Sequence, residues 1–303
     1  MIAEYFAEHF SRICTNSTGT RAAELKSDYE NSRVNYSGWP DLDEHKFDAC
    51  LVEGAINSMC RGKAAGLDSI TSEHLQNCHA LLPCVLSRLF NLMVTASHIP
   101  DAFCKSYTVP LLKGNCSTYC KTVSANDFRG ISISPVLSKV FEQCILQRYC
   151  DFLTSSDNQF GFKKKSGCVH AIYALKCTAD YYVSHNSTVN LCALDLSKAF
   201  DKMNHHALFM KLMKNHIPVS LLRILETWLE SSVTCVLWGN CFSDFFKLTC
   251  GIRQGGVLSP HLFAVYIDSV IEKIRASEFG CVINWAKVGI LVYADDILLL
   301  APS

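Results

Sequence analysis

The sequence has no surplus of charge: 28 Lys and Arg balance 28 Asp and Glu. Nothing in the overall balance advertises a polyanionic partner, and any such partner must be argued from local groups. Although there are 17 cysteines, no two stand at Cys-x-x-Cys spacing. This excludes a framework of zinc knuckles. Thiols in apolar helical stretches, such as Cys144 and Cys177, are expected to be free and buried in a reducing compartment rather than bridged. Cys116 and Cys120 come nearest to a metal-ligand pair and have no second pair to complete a site. Long uninterrupted apolar runs are missing too. Residues 1–10 carry Glu4, Glu8 and His9, unlike a secretory leader. The most hydrophobic stretch, 80–100, is broken by Arg88 and Asn91 and reads as a buried helix rather than a membrane span. A soluble intracellular protein, cytoplasmic or nuclear, with no membrane partner is expected. There is no internal repeat and no low-complexity tract. What is present is a 49% hydrophobic composition over 303 residues, enough for a large core in one unit or two coupled ones.

Residues 1–43 mix Ser, Asn, Thr and charged residues and read as a poorly structured connector or arm. From there Phe47, Leu51, Ala55 and Met59 share a helical face, and the segment stops at the turn 62–66. Further helices are expected over 72–78 and 81–97, ending before Pro100. A strand should cover 107–112. Ser134 as N-cap and Pro135 at the first helical position predict a helix to about residue 152. Another helix is expected over 169–183. Residues 189–194 form an apolar run of strand length, and Asn204 should cap a helix through Lys214. The runs 233–238 and 242–248 flank Gly239-Asn240, a pair suited to a two-residue hairpin. A helix is expected over 259–276, then two apolar runs, 288–293 and 297–300. The fold class is α+β, a helical first half followed by an antiparallel sheet with helices on one face.

Asp295 and Asp296 interrupt the apolar run 289–301. If both flanks are strands, the acidic pair lies at a hairpin tip. A solvent-facing turn is the ordinary reading of an isolated Asp pair. Strands buried on both sides would instead hold the carboxylates together, and their repulsion calls for a cation. Asp195, at the end of the run 191–194, supplies a third carboxylate. Hard oxygen ligands of this kind suit Mg²⁺ with open positions for phosphates, which is the chemistry of two-metal nucleotidyl transfer.

Six blocks then occur in order: GKAAGLDSIT from Gly62, DFRGISISPVLSKVFE from Asp127, QFGFKKKSG from Gln159, LDLSKAFDKMNH from Leu194, GIRQGGVLSPHLF from Gly251 and YADDILLL from Tyr293. Together they resemble the reverse transcriptases of non-long-terminal-repeat, jockey-like retrotransposons. The resemblance implies an RNA-directed DNA polymerase with the right-hand architecture. A helical fingers-like region would span 44–185 and an incomplete palm 186–303. It also implies two Mg²⁺ ions, with Mn²⁺ able to substitute, and as partners an RNA template, a DNA primer and a dNTP.

Carried over residue by residue, the resemblance makes Asp195, Asp295 and Asp296 the catalytic, metal-binding carboxylates, with Asp195 and Asp295 the favoured direct ligands. Phe200 matches the bulky position that excludes a ribose 2′-hydroxyl; read alone it would be a core aromatic. Gln254 matches a residue that contacts the incoming nucleotide, and Gly255 beside it allows close backbone approach. Arg129 matches the arginine that neutralises the triphosphate, with Lys113 a weaker candidate. Phe160, Phe162, Lys163, Lys164 and Lys165 combine rings and charges suited to a template strand, and Tyr293 would lie near the primer terminus.

The sequence departs from the family pattern at its C-terminus. Ser303 directly follows the second hairpin run, so the thumb, the rest of the palm and a lysine-bearing element near the leaving pyrophosphate are expected to be absent. The upstream endonuclease is expected to be absent as well. Two other classes stay open: a catalytically inactive remnant or domesticated RNA- or protein-binding module, and an RNA-copying polymerase sharing the palm chemistry.

Overall fold

The computed structural model describes residues 2–15, 20–114 and 123–303; Cys116 and Cys120 lie outside the described residues. In chain order the elements are α1 (Ile2–Ile13), α2 (Thr20–Val34), α3 (Ala49–Asn57), α4 (Ser72–Gln76), α5 (Leu82–Ala96), α6 (Asp101–Cys104), β1 (Lys105–Leu112), β2 (Phe128–Ile133), α7 (Val136–Arg148), α8 (Cys168–Ser184), β3 (Val189–Asp195), α9 (His205–Lys214), α10 (Val219–Glu230), β4 (Val233–Trp238), β5 (Cys241–Phe242), β6 (Phe246–Lys247), α11 (Ser259–Ala276), β7 (Val282–Ile283), β8 (Ala286–Lys287), β9 (Ile290–Tyr293) and β10 (Asp296–Pro302). The class is α+β. The chain forms two discontinuous units, Met1–Phe152 with Phe200–Ser259, and Leu153–Ala199 with Pro260–Ser303. The division therefore does not follow the expected borders at 43 and 185, because strands distant in sequence close each sheet.

In the first unit the sheet runs β2-β1-β4-β5, with β6 also on β4. β1 and β2 are antiparallel, but β1 and β4 are parallel, Tyr107 facing Cys235. This sheet is therefore mixed, whereas the sheet of the second unit is antiparallel as expected for the second half. The long helical excursion between β1 and β4 permits the parallel pair, since parallel neighbours need a crossover of a dozen residues or more. Gly239-Asn240 does make the two-residue turn, with Trp238 opposite Cys241. Strand 242–248 is instead two short pieces, because Ser243 turns its hydroxyl back to accept from Val236 N at 2.8 Å.

The first unit's core is aromatic. Phe141 packs on Phe90 at 4.9 Å, Phe47 at 5.8 Å and Trp228 at 5.6 Å between ring centroids. Burying each such side chain stabilises the fold by about 1.5–3 kcal/mol. Two features correct the sequence reading of this unit. Residues 1–43, expected as a poorly structured arm, contain two helices. α1 buries Ala3, Phe6, Ala7 and Phe10, an i, i+3, i+4, i+7 stripe, against Ala125 and Val236. α2 buries no residue and is tied down by Glu226, which accepts from Arg33 Nε at 2.8 Å and from the Tyr29 hydroxyl. Secondly, Pro135 rather than Ser134 is the N-cap of α7. Asn204 does cap α9, its side chain accepting from Ala207 N at 3.0 Å.

The second unit is built on an antiparallel sheet of order β3-β10-β9 with the small hairpin β7-β8. Its core gathers Cys281, Leu291 and Leu300, with Phe160, Leu175 and Tyr182 packed against it. The outer edge of β9 carries Gln159 in a bridge to Val292. β3 is left exposed, with Leu191 and Leu194 at 55% and 45% relative exposure. Every cysteine among the described residues is a free thiol; Cys144 is buried as expected, whereas Cys177 is exposed. Burial pushes the Cys144 thiol up to about 12. Among the described residues no helix is long and apolar enough to cross a membrane.

Candidate functional site

In the second unit the alternation of apolar residues that makes β3, β9 and β10 also decides where the carboxylates fall. β10 pairs with β3 so that Asp296 faces Asp195, and with β9 so that Asp296 faces Tyr293. Ala294 and Asp295 form the connecting turn, with Ala294 in the left-handed region at φ +59°. Side chains directly opposite on antiparallel strands share a face, with Cβ atoms about 4.5–5.5 Å apart. Asp195, Asp296 and Tyr293 accordingly line one cleft, walled by Ile172 and Leu175 of α8. Both Asp195 and Asp296 are exposed, and Asp295 is half-buried. Like charges held opposite one another repel, so the pair is poised to gain from a bound cation.

The register sets Asp296 directly opposite Asp195, and Asp295 is the next residue, in the turn. Among the described residues no group of three or more His, Cys, Asp or Glu side chains converges well enough to hold a metal ion. Asp295 belongs to the turn and is half-buried. The donor set is nonetheless all carboxylate oxygen, the ligand type that magnesium takes.

The loop 159–165 belongs to the same unit. Phe160 packs against the core, so its ring does structural work. Lys163 donates to Ser156 O at 2.6 Å and lies 3.8 Å from Asp157, and burial lowers its pKa. Lys164 and Lys165 are exposed. Phe162 and Lys165 both adopt left-handed backbone, φ +61° and +62°, which makes the loop a series of tight bends.

In the first unit the segment 251–258 is pinned from several sides. Gln254 O accepts from Ser132 N at 2.7 Å, and Gln254 Nε2 donates to Asp201 Oδ1 at 2.8 Å. Gly255 has φ +124°, and a Cβ there would lie 2.5 Å from Ser132 O; only glycine fits against β2. Ile252 N donates to Phe200 O at 2.9 Å and Gly251 N to Met203 O at 2.7 Å. The turn bearing Phe200 is thereby latched to the loop bearing Gln254. His205, buried next to its cap, bonds Gly251 O through Nε2 at 2.6 Å, and burial holds its pKa below the ordinary imidazole value.

Sequence reasoning missed two residues that anchor this segment. Glu142, buried in α7, accepts from Leu258 N at 2.8 Å; burial raises its pKa against the pull of the Leu258 and Val257 amides. Arg253 donates to Phe103 O at 3.0 Å, to Ser232 Oγ at 3.2 Å and to Cys104 O, and burial lowers its pKa. A charged residue inside the apolar run 140–145 was the available signal for Glu142. Of the phosphate candidates, Arg129 is exposed on β2 opposite Leu111. The Lys113 ammonium is engaged by Asn126 O at 2.8 Å.

An α+β chain with two carboxylates in register beside a hairpin tip, and a glycine-bearing loop held flat against a strand, fits a nucleotide-transferring protein. Residues 113–303 match the family described as "Reverse transcriptase (RNA-dependent DNA polymerase)", and the chain belongs to that family. It is 26% identical over 222 residues to the "Retrovirus-related Pol polyprotein from type-2 retrotransposable element R2DM" of Drosophila melanogaster, covering 72% of this chain and 20% of that relative. It is 26% identical over 262 residues to the "RNA-directed DNA polymerase from mobile element jockey" of Drosophila funebris, covering 83% and 27%. To the "Probable RNA-directed DNA polymerase from transposon X-element" of Drosophila melanogaster it is 24% identical over 306 residues, covering 99% and 32%. The chain thus spans between a fifth and a third of the length of these relatives. An apo telomerase from Candida tropicalis superposes with a TM-score of 0.46 at 14% identity over 70% of this chain and 48% of that one, a likeness too loose to argue from.

Proposed function

We propose that this chain is the polymerase portion of a non-long-terminal-repeat retrotransposon protein and catalyses RNA-directed DNA synthesis. The 3′-hydroxyl oxygen of a DNA primer attacks the α-phosphorus of a dNTP paired to an RNA template, and pyrophosphate leaves. The observation that carries this reading is the register that sets Asp195 against Asp296 beside the Tyr293–Asp296 turn. On this reading the second unit supplies palm elements and β1 and β2 belong to the fingers.

Asp195 and Asp296, with Asp295 beside them, would hold magnesium, two ions in the family's manner, with manganese able to substitute. Divalent ions bound there would lower the pKa of the attacking hydroxyl and neutralise charge on the transferring phosphoryl group. The chain's own side chains do the rest. Phe200 presents a ring against the sugar C2′, leaving no room for a 2′-oxygen. Gln254 and Gly255 offer an amide and close backbone to the nucleotide, and Arg129 supplies a planar fork for the triphosphate. Lys113 is a weaker second cation. Phe162, Lys164 and Lys165, with Phe160 and Lys163 behind them, face a template strand, and Tyr293 sits by the primer end.

Primer extension on an RNA template tests the reading. Metal-dependent incorporation of dNTPs and rejection of NTPs is the expected result. Preference for NTPs would make the protein an RNA-copying polymerase. A second reading, a non-catalytic module that binds RNA or protein, draws on the absence of a converged three-donor group among the described residues; metal-independent RNA binding without incorporation would favour it.

A further inference from the structure

The Tyr-Ala-Asp-Asp turn holds a conformation that its sequence does not favour. Ala294 lies at φ +59°, where an L-residue with a Cβ is disfavoured. No glycine or asparagine relieves it. Something outside the turn must therefore hold it, and one side chain is placed to do so.

Gln159 is completely buried, at 0% relative exposure. Its Oε1 accepts from Ala294 N at 3.1 Å and from Gly161 N at 2.8 Å, and its Nε2 donates to Ala294 O at 3.3 Å. The amide thus meets both backbone polar groups of the strained residue. Only a side chain with an acceptor and a donor on one carbon can do this. A glutamate would set a carboxylate against Ala294 O, and an asparagine is one methylene short.

The surrounding backbone fixes Gln159 itself. Phe160 N donates to Val292 O and Val292 N to Asn158 O, both at 2.8 Å, so Gln159 is held in a single parallel bridge to Val292 of β9. Asn158 Nδ2 donates to Ile290 O at 2.8 Å. Gly161 then passes so close that a Cβ on it would lie 2.5 Å from Ala294 N. Glycine here leaves the space in which the turn sits.

We propose that Gln159 is a positioning residue: it locks Ala294 in the left-handed conformation and so sets where Asp295 and Asp296 stand relative to Asp195. Gly161 is the companion that makes room for the lock. The inference rests on the proposed polymerase function for its catalytic meaning, but the lock itself is a property of the turn and is measurable without catalysis.

The test uses the full chain in four forms: wild type, Gln159→Met, Gly161→Ala and the double variant Gln159→Met/Ala294→Gly. Methionine keeps the volume while removing both hydrogen-bonding groups. Hydrogen exchange at the amides of residues 294–296 is the first readout. Gln159→Met should speed it about tenfold or more, while protection in α8 and α11 stays as in wild type. Primer extension is the second: the maximal rate should fall about tenfold with the KM for dNTP within about twofold, since the change reaches the reacting groups rather than nucleotide binding. Glycine at 294 adopts positive φ at no steric cost, so the double variant should recover most of the lost rate. A purely structural role for Gln159 would show no such rescue. Gly161→Ala should reproduce the exchange defect, and it decides the matter if Gln159→Met does not fold. Wild-type exchange rates at 294–296 in both single variants would overturn the proposal. If the wild-type protein itself incorporates no dNTP, the polymerase reading fails, and the exchange measurement still decides the lock.

Discussion

The edge strand with its hairpin and the loop 251–258 carry residues of the same proposed reaction under opposite physical regimes. β3 is exposed along nearly its whole length, and its terminal aspartate faces another aspartate with no cation of the protein recorded in an ion pair with either among the described residues. Around 251–258, by contrast, main-chain and buried side-chain partners meet Gly251, Ile252, Arg253, Gln254 and Leu258. Groups that on the proposed reading take up metal and substrate are left solvated and mutually repelling. Groups that must present backbone at a fixed place are fastened by the interior. Substitutions in the first region should therefore cost rate and spare stability, whereas those in the second should cost stability or nucleotide binding rather than maximal rate.

The largest effect is expected at the carboxylates. Asp195→Asn or Asp296→Asn should lower primer extension by about a thousandfold or more, roughly 4 kcal/mol in the barrier. Their thermal midpoints should hold or rise, because removing a like-charge pair across strands relieves about 0.2–1 kcal/mol. A large stability loss in either would break the contrast. Phe200→Ala comes next. Discrimination against ribonucleotides should fall by about 10–200-fold, read as the ratio of kcat/KM for dNTP and NTP. An unchanged ratio would return Phe200 to a packing role.

Glu142 sharpens the comparison from the other side. Glu142→Ala should destabilise the fold by about 1–3 kcal/mol for each backbone amide left without its acceptor. Glu142→Gln, which keeps one acceptor, should fold and raise the KM for dNTP several-fold with little change in maximal rate, the pattern of lost uniform binding. The smallest effect is a pH dependence. His205 is held neutral by burial, with a folded-state pKa below its ordinary 6.5. Its contribution is fully present above that value and is lost as pH falls below it towards the folded pKa, since the unfolded chain then binds the proton first. Denaturant titrations at pH 7.5 and below 6 should show the decline, and His205→Asn should flatten it.

Much of this was legible in the amino-acid order. The paired aspartates between apolar runs gave away a hairpin, Asn204 announced its helix, and Gly239-Asn240 its turn. α1 was legible too, through Phe6 and Phe10 at helical spacing, but polar neighbours masked it. α2 could not be read so, because it buries nothing and depends on Glu226, nearly two hundred residues away, for its anchorage. Arg253 carried no signal of its own beside Gln254; its guanidinium donates to carbonyls of the α6 region. Lys163, expected at a template strand, also ties its own loop to Ser156 O, a contact no local pattern announced.

Composition and local pattern by themselves determined that this chain is α+β and that Asp295 and Asp296 lie at the bend of a strand-turn-strand; the resemblance carried by six ordered blocks pointed to the reverse transcriptase family. The fold class and the hairpin follow from short-range rules, periodicity and turn chemistry, that act within a few residues. Only the tertiary structure decided that Asp296 stands opposite Asp195, that Gln159 grips Ala294, and that Glu142 holds the loop after Gln254. Strand register and buried polar pairing are settled by residues far apart in the chain, where a shift of a single position would turn each side chain to the opposite face.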